Sequence, residues 1–268
     1  MWAEEEALVP RIDGRPAQGT PCWTDLMSPD VEVAAGFYRG LFGWEYDESG
    51  PEYGFYHMAR VDARAAAGIG QIPEGAGFPS AWTVYFAADD VHAMAERAGA
   101  LGGTIMMPPM EVPGQGWMAV IVDPVGAAFG LWQGTGHLGA GIKEVHGATT
   151  WRDLHTADVE GARVFYAELL GVEAQPFDGG STRYYILVKD GKNIAGIAQT
   201  PPPGAAAPSR WLTYFEVADL DRILRGAVEG GGTVVEPPSD TPFGRMAVLA
   251  DPFGAVFCVH WSRQPASE

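Results

Sequence analysis

Asp153 and His155, two residues apart, and Cys258 and His260, also two apart, are the residues of this chain best equipped for chemistry. Residues i and i+2 of a strand project from one face of a sheet, so each pair is presented together wherever it lies on a strand. Brought to a common face, the four supply a carboxylate, two imidazoles and a thiol. Three chemistries can be drawn from them: a Cys/His nucleophile, a general acid–base pair, or a two-histidine, one-carboxylate metal site. The plainer alternative makes His155 and His260 polar lining and Cys258 a small packing residue. Trp151 stands two residues before Asp153, and the same W-x-D spacing recurs at Trp23 and Asp25. A flat indole beside a carboxylate suits a flat guest, including one that carries a positive charge.

The elements that must position these residues are written twice. Trp23 to Gly43 (WTDLMSPDVEVAAGFYRGLFG) and Trp151 to Gly171 (WRDLHTADVEGARVFYAELLG) are identical at 11 of 21 positions, at a constant offset of 128. Trp23, Asp25 and Met27 alternate with Thr24 and Leu26, the period of a half-buried strand. Ser28 and Thr156 are expected as N-caps of the helix that follows, and Gly43 and Gly171 as its left-handed stop. Phe37, Tyr38, Phe165 and Tyr166 read as core.

At 268 residues with a repeat of this length, two domains are expected. The net charge of −17, from 34 acidic and 17 basic residues, argues against nucleic acid or an anionic membrane as partner. Neutral or cationic small molecules are easier guests. Two cysteines, Cys22 and Cys258, cannot build a disulfide framework or a zinc cluster, and residues 1–18 carry no apolar run, so a cytoplasmic protein is expected.

In order, the chain divides into a tail (1–18), a first domain (19–133), a Gly-rich linker (134–147), a second domain (148–263) and a short end (264–268). Each domain runs strand, helix, three strands, twice over. In the first, strands are expected at 44–46, 53–61 and 66–72, then at 81–87, a helix from Asp89-Asp90 to Leu101, and strands at 104–107, 117–122 and 127–132. Trp82, Tyr85-Phe86, Gly102-Gly103-Thr104 and Asp123-Pro124-x-Gly126 return as Trp211, Tyr214-Phe215, Gly231-Gly232-Thr233 and Asp251-Pro252-x-Gly254.

Paired βαβββ modules with F-Y-x-x-L-[FL]-G closing the first helix and a D-P-x-G turn before the last strand resemble the vicinal oxygen chelate superfamily, of glyoxalase, bleomycin-resistance and dioxygenase type. The W-x-D-L opening and the fusion of two domains further resemble an actinobacterial tandem subgroup, whose members carry hydroxylase-like or glyoxalase-like labels and in part accompany antibiotic pathways. The resemblance implies an α+β fold of two tandem domains, each a curved mixed sheet around a groove. It also implies a divalent metal held by His, Gln or Glu at strand-start and strand-end positions. Those positions hold Trp23, Thr83 and Gly130 in the first domain and Trp151, Leu212 and Cys258 in the second, of which only Cys258 could coordinate anything. No metal and no cofactor are therefore expected, and Gln71 and Gln199, at the end of the fourth strand, are left as hydrogen-bond donors.

Strand parity then lines the grooves with Trp23, Asp25, Met27, Tyr85 and Trp132, and with Trp151, Asp153, His155, Tyr214, Cys258 and His260, while Trp82, Phe86, Trp211 and Phe215 face the helices. Two functions of different class follow. One is a metal-free binding protein for a hydrophobic, planar metabolite or antibiotic, accessory to a natural-product pathway or giving self-resistance, with Trp23 and Trp151 as principal contacts. The other is an isomerase, lyase, hydrolase or hydroxylase-like enzyme of the second groove, drawing on Asp153, His155 or His260. Fusion at a fixed offset implies that one chain mimics a homodimer, so a monomer or a weak homodimer is expected.

Overall fold

Alternating polar and apolar residues, then an acidic cap and a 3.6-residue apolar period, generate the same opening in both halves. The computed structural model describes residues 11–179, 182–200 and 208–262. The far end of the N-terminal tail, residues 201–207 of the loop between modules, and the C-terminal end lie outside them. The first half runs β1 (Pro21–Ser28), α1 (Val31–Phe42), β2 (Glu45–Glu48), β3 (His57–Val61), β4 (Arg64–Gln71), β5 (Ala81–Ala87), α2 (Val91–Ala100), β6 (Thr104–Val112), β7 (Gly116–Val122) and β8 (Ala128–Gly134). The second repeats it as β9 (Thr149–Thr156), α3 (Val159–Leu170), β10 (Glu173–Pro176), β11 (Tyr184–Lys189), β12 (Lys192–Gln199), β13 (Arg210–Glu216), α4 (Leu220–Glu229), β14 (Thr233–Thr241), β15 (Gly244–Ala250) and β16 (Val256–Ser262). Among the described residues no helix is long and apolar enough to cross a membrane.

Each half forms one eight-stranded mixed sheet, ordered β2-β3-β4-β1-β5-β8-β7-β6 and β10-β11-β12-β9-β13-β16-β15-β14. The fold is α+β, as the resemblance implied. Trp23 pairs with Tyr85 and Asp25 with Thr83; Trp151 pairs with Tyr214 and Asp153 with Leu212. The N-caps differ from expectation by two residues. Asp30 accepts from Val33 N at 3.1 Å and Asp158 from Gly161 N at 2.9 Å, while the hydroxyls of Ser28 and Thr156 accept from the backbone N–H of those same aspartates. The strands run on to Ser28 and Thr156, so the first free helical N–H groups meet a carboxylate, which also suits the positive end of the helix dipole. Gly43 and Gly171 stop the helices at φ of +69° and +63°, as expected. Residues 51–53 form a short 3₁₀ turn instead of the start of a strand, and β6 runs to Val112, five residues past its expected end.

The helices lie between the two sheets, and each hydrophobic core is shared by both halves. In one, α1 and α4 are sandwiched between Leu26, Ile69 and Trp82 of the first sheet and Phe215, Leu249 and Phe257 of the second. In the other, α2 and α3 lie between Val84, Phe86 and Phe129 and Leu154, Ile197 and Trp211. The repeated motifs meet across this seam. Trp211 Nε1 donates to Tyr166 Oη (2.8 Å), which donates to Asp123 Oδ2 (2.8 Å), the aspartate of the opposite half's D-P-x-G turn. Trp82, Tyr38 and Asp251 make the mirror chain at 2.9 and 3.3 Å. Burial pushes the Asp123 and Asp251 carboxyls up, while the turn N–H groups and the tyrosine hydroxyl pull the other way. Tyr166→Phe removes a donor from a buried carboxylate and an acceptor from a buried indole. We expect it to lower the unfolding free energy by about 1–3 kcal/mol in urea denaturation; a variant as stable as the parent would show the chain to be idle.

Candidate functional site

The face of each sheet opposite its helices is concave, and its centre is set by the W-x-D strand. In the first half Trp23, Tyr85 and Trp132 pack with Cys22 and Ala140 and are flanked by Met58 and Met118. Tyr56 lies across Gly68, where an added Cβ would sit 1.7 Å from its hydroxyl oxygen, so glycine is required there. Tyr56 Oη accepts from Trp23 Nε1 (2.9 Å) and donates to Asp25 Oδ2 (3.3 Å). Among the described residues buried Asp25 Oδ1 accepts no hydrogen bond of good geometry, and burial pushes this carboxyl up to about 7, tempered by the nearby hydroxyls of Tyr85 and Tyr56. Met27 lies half-buried over Gly70.

The linker covers this groove. Ala140 N donates to Cys22 O (2.8 Å), Trp132 Nε1 donates to His137 O (2.8 Å), and the His137 ring stands edge-on to Trp23 with centroids 4.4 Å apart. Burial, with Arg60 adding to it, lowers His137 to about 4, so it packs as a neutral ring. Trp23 is left 3% exposed.

The second groove has the same skeleton with a different wiring. Tyr184 lies across Gly196 as Tyr56 lies across Gly68. Trp151 Nε1, however, reaches Asp153 Oδ1 directly (2.8 Å) as well as Tyr184 Oη (3.0 Å), and Tyr184 Oη donates to the same Oδ1 at 2.6 Å. Trp151 is half-buried. Leu212, Tyr214, Val248 and Cys258 form the floor, and burial raises the Cys258 thiol far above its ordinary range, so it is an inert packing residue. Gly130 gives the Tyr85 ring a berth that Cys258 denies to Tyr214; the Tyr214 hydroxyl instead lies 3.5 Å from His155 Nε2. Burial lowers His155, with Asp153 opposing it.

His260 occupies the far end. Its Nδ1 is 3.2 Å from Glu216 Oε2, and Ser262 donates to the same carboxylate through its backbone N–H (2.8 Å) and its hydroxyl (2.8 Å). His155 and His260 stand opposite Arg210 and Glu216 of β13, so the two imidazoles are about 20 Å apart along the strand. The joint set of Asp153, His155, Cys258 and His260 therefore does not assemble. Among the described residues no group of three His, Cys, Asp or Glu side chains could hold a metal ion. The donors at the family's ligand positions do not fit one. Gln71 is also diverted: Oε1 caps α1 by accepting from Val31 N (3.2 Å) and Nε2 donates to Pro29 O (2.6 Å).

The rims of the second sheet meet over this groove. Phe177 follows β10 at one edge and Phe243 sits in the β14–β15 turn at the other, yet their rings are 5.9 Å apart, with Phe177 also 6.0 Å from Tyr184. The small cleft between α1 and α4, lined by Leu41, Arg222 and Arg225, opens on the helical side and shares no residue with either groove.

The family model described as Glyoxalase/Bleomycin resistance protein/Dioxygenase superfamily matches residues 22–131 and again 148–259. The chain belongs to this superfamily. It is 41% identical over 258 residues, covering 91% of this chain and 93% of the relative, to the anthracycline biosynthesis protein DauV of Streptomyces sp. (strain C5). It is 39% identical over 248 residues to a Mycobacterium tuberculosis protein named "Putative glyoxylase CFP32", covering 90% and 94% of the two chains. Among solved structures, the Mn(II)-bound glyoxalase of Novosphingobium aromaticivorans superposes with a TM-score of 0.62 at 16% identity, over 91% of this chain and 82% of that one, a likeness of fold.

Tyr56, Tyr184, His137 and the Phe177–Phe243 pair were missed by strand parity. The two tyrosines left a signal, since Tyr56 and Gly68 recur at the repeat offset as Tyr184 and Gly196.

Proposed function

We propose that the chain binds a planar, conjugated small molecule in the groove of its second half, without a metal ion, as a cytoplasmic accessory or self-resistance protein of a natural-product pathway. The observation that carries this is the contrast at the strand-start position. Trp151 is half-buried with its N–H fixed by Asp153 and Tyr184, whereas Trp23 is 3% exposed beneath the linker. An indole held in one orientation offers a stacking face worth about 0.5–1.5 kcal/mol beyond area burial. The net charge of −17 favours a neutral or cationic guest over an anion. Likeness to a relative named for anthracycline biosynthesis supports the pathway assignment. An enzymatic reading would draw on Asp153 with His155, or on His260, because His155 and His260 are too far apart to act as one acid–base pair.

Tryptophan fluorescence titration against planar natural products tests the reading. We expect saturable quenching by the parent and an affinity at least tenfold weaker in Trp151→Ala, the equivalent of about 1.4 kcal/mol. An unchanged affinity in Trp151→Ala, or no quenching and no thermal stabilisation by any compound, would refute it.

A further inference from the structure

Glu216, His260 and Ser262 form a polar end to the second groove that has no counterpart in the first. Their repeat equivalents are Ala87, Trp132 and Gly134, and there the indole of Trp132 turns to the linker carbonyl of His137. The groove that the linker does not cover is thus also the one given a carboxylate, an imidazole and a hydroxyl. Glu216 and His260 are each only 12% exposed, too enclosed for an incidental surface pair.

The hydrogen bonds define the state of the imidazole. A carboxylate only accepts, so the proton between His260 and Glu216 sits on Nδ1. Glu216 is held in turn by both donors of Ser262. In the neutral ring Nε2 then carries the lone pair; it lies over Gly244, where an added Cβ would sit 3.1 Å from it, and the hydrogen bonds of His260 among the described residues run through Nδ1. His260 pairs with Met246, shares its face with Cys258, and lies two residues and two strands from Trp151, about 12 Å away. One tricyclic guest can span that distance.

Resting on the binding reading above, we infer that His260 Nε2 accepts a hydrogen bond from a hydroxyl at the end of the guest, and that Glu216 and Ser262 position it by fixing the tautomer. The guest is accordingly a planar polycyclic phenol or enol, stacked at one end on Trp151 and recognised at the other by its O–H.

The test compares 2-hydroxyanthraquinone with 2-methoxyanthraquinone, nearly the same shape with and without a donor, by fluorescence titration of the full chain. The parent is expected to prefer the hydroxyl compound by about tenfold, the worth of one hydrogen bond in an enclosed site. His260→Phe should bind both compounds equally; an aromatic ring is accommodated there in the first half as Trp132, so the fold is expected to survive. Glu216→Gln should turn an amide N–H toward Nδ1, move the proton to Nε2 and abolish the preference, since hydroxyl and methoxy oxygens both accept, which a purely structural role would not do. Equal affinities in the parent, or a hydroxyl preference that persists in His260→Phe, overturn the role of His260. An unaltered preference in Glu216→Gln overturns the positioning role. Binding of neither compound overturns the binding reading itself.

Discussion

Cut within the linker and produced as separate chains, neither half is expected to be a stably folded monomer. Both cores are built from the two sheets together, with α1 and α4 in one and α2 and α3 in the other. Separation exposes Phe86, Phe129, Phe215 and Phe257, all fully buried in the intact chain, together with the indoles of Trp82 and Trp211. At about 1.5–3 kcal/mol per large apolar side chain, these six alone cost about 10 kcal/mol, as much as the whole stability of an ordinary domain. The seam also breaks the Trp–Tyr–Asp chains and strands two buried carboxylates. Size-exclusion chromatography and circular dichroism of the separate and the co-expressed halves check this. We expect aggregation or self-association of each half alone and a folded one-to-one pair on co-expression. A monomeric half with a sharp unfolding transition would contradict it.

The second large effect is that Asp25→Asn should flatten the pH dependence of stability and stabilise the protein under mildly alkaline conditions. Asp25 titrates near 3.8 when unfolded and at about 7 when folded. The folded state therefore binds the extra proton between those values, and this contribution to stability, complete below pH 4, is lost as the pH rises through 7. A gap of that size corresponds to about 4 kcal/mol. His137 works in the opposite sense. Lowered to about 4 from 6.5, it withdraws stability as the pH falls through that window, so the slopes of the parent partly cancel below pH 6.5. The difference between variant and parent isolates Asp25. Urea denaturation at pH 5 and pH 8 should show a gain of about 1–3 kcal/mol at pH 8, after allowing for the new amide's own unpaired donor, and little or none at pH 5. Parallel pH profiles would mean that Asp25 is not the group responsible.

The fold was legible because the chain states it twice. Period-two strands, glycine stops and D-P-x-G turns are local signals, and the offset of 128 turns each of them into a pair. The N-cap was misplaced because Ser28 and Thr156 are good caps in isolation; only the length of β1 and β9 shows that Asp30 and Asp158 reach the helix first. The site was half legible. Parity put Trp23, Asp25, Trp151, Asp153, His155 and His260 on concave faces, yet it is blind to distance along a strand, so it could not tell that His155 and His260 lie at opposite ends of theirs. It is also blind to what lies over a face. The burial of Trp23 depends on Ala140 and His137 of the linker, and the hydrogen bonds of Trp23 and Trp151 to a tyrosine depend on Tyr56 and Tyr184, all remote in sequence from the residues they touch.

The path of the linker carries one more consequence, which concerns symmetry. Two separate copies of one domain would present two equal grooves, and every substitution would alter both at once. A covalent connection can leave only one of the two last strands, here β8, and His137 and Ala140 on its way to β9 settle over the groove beside it. Joining the copies is thus enough to make them unequal before any side chain differs. One concave face holds the strap, and there Trp132 stands where the second half has His260. The other face carries no strap and holds Glu216, His260 and Ser262, so the division of labour between the halves follows the direction in which the chain runs.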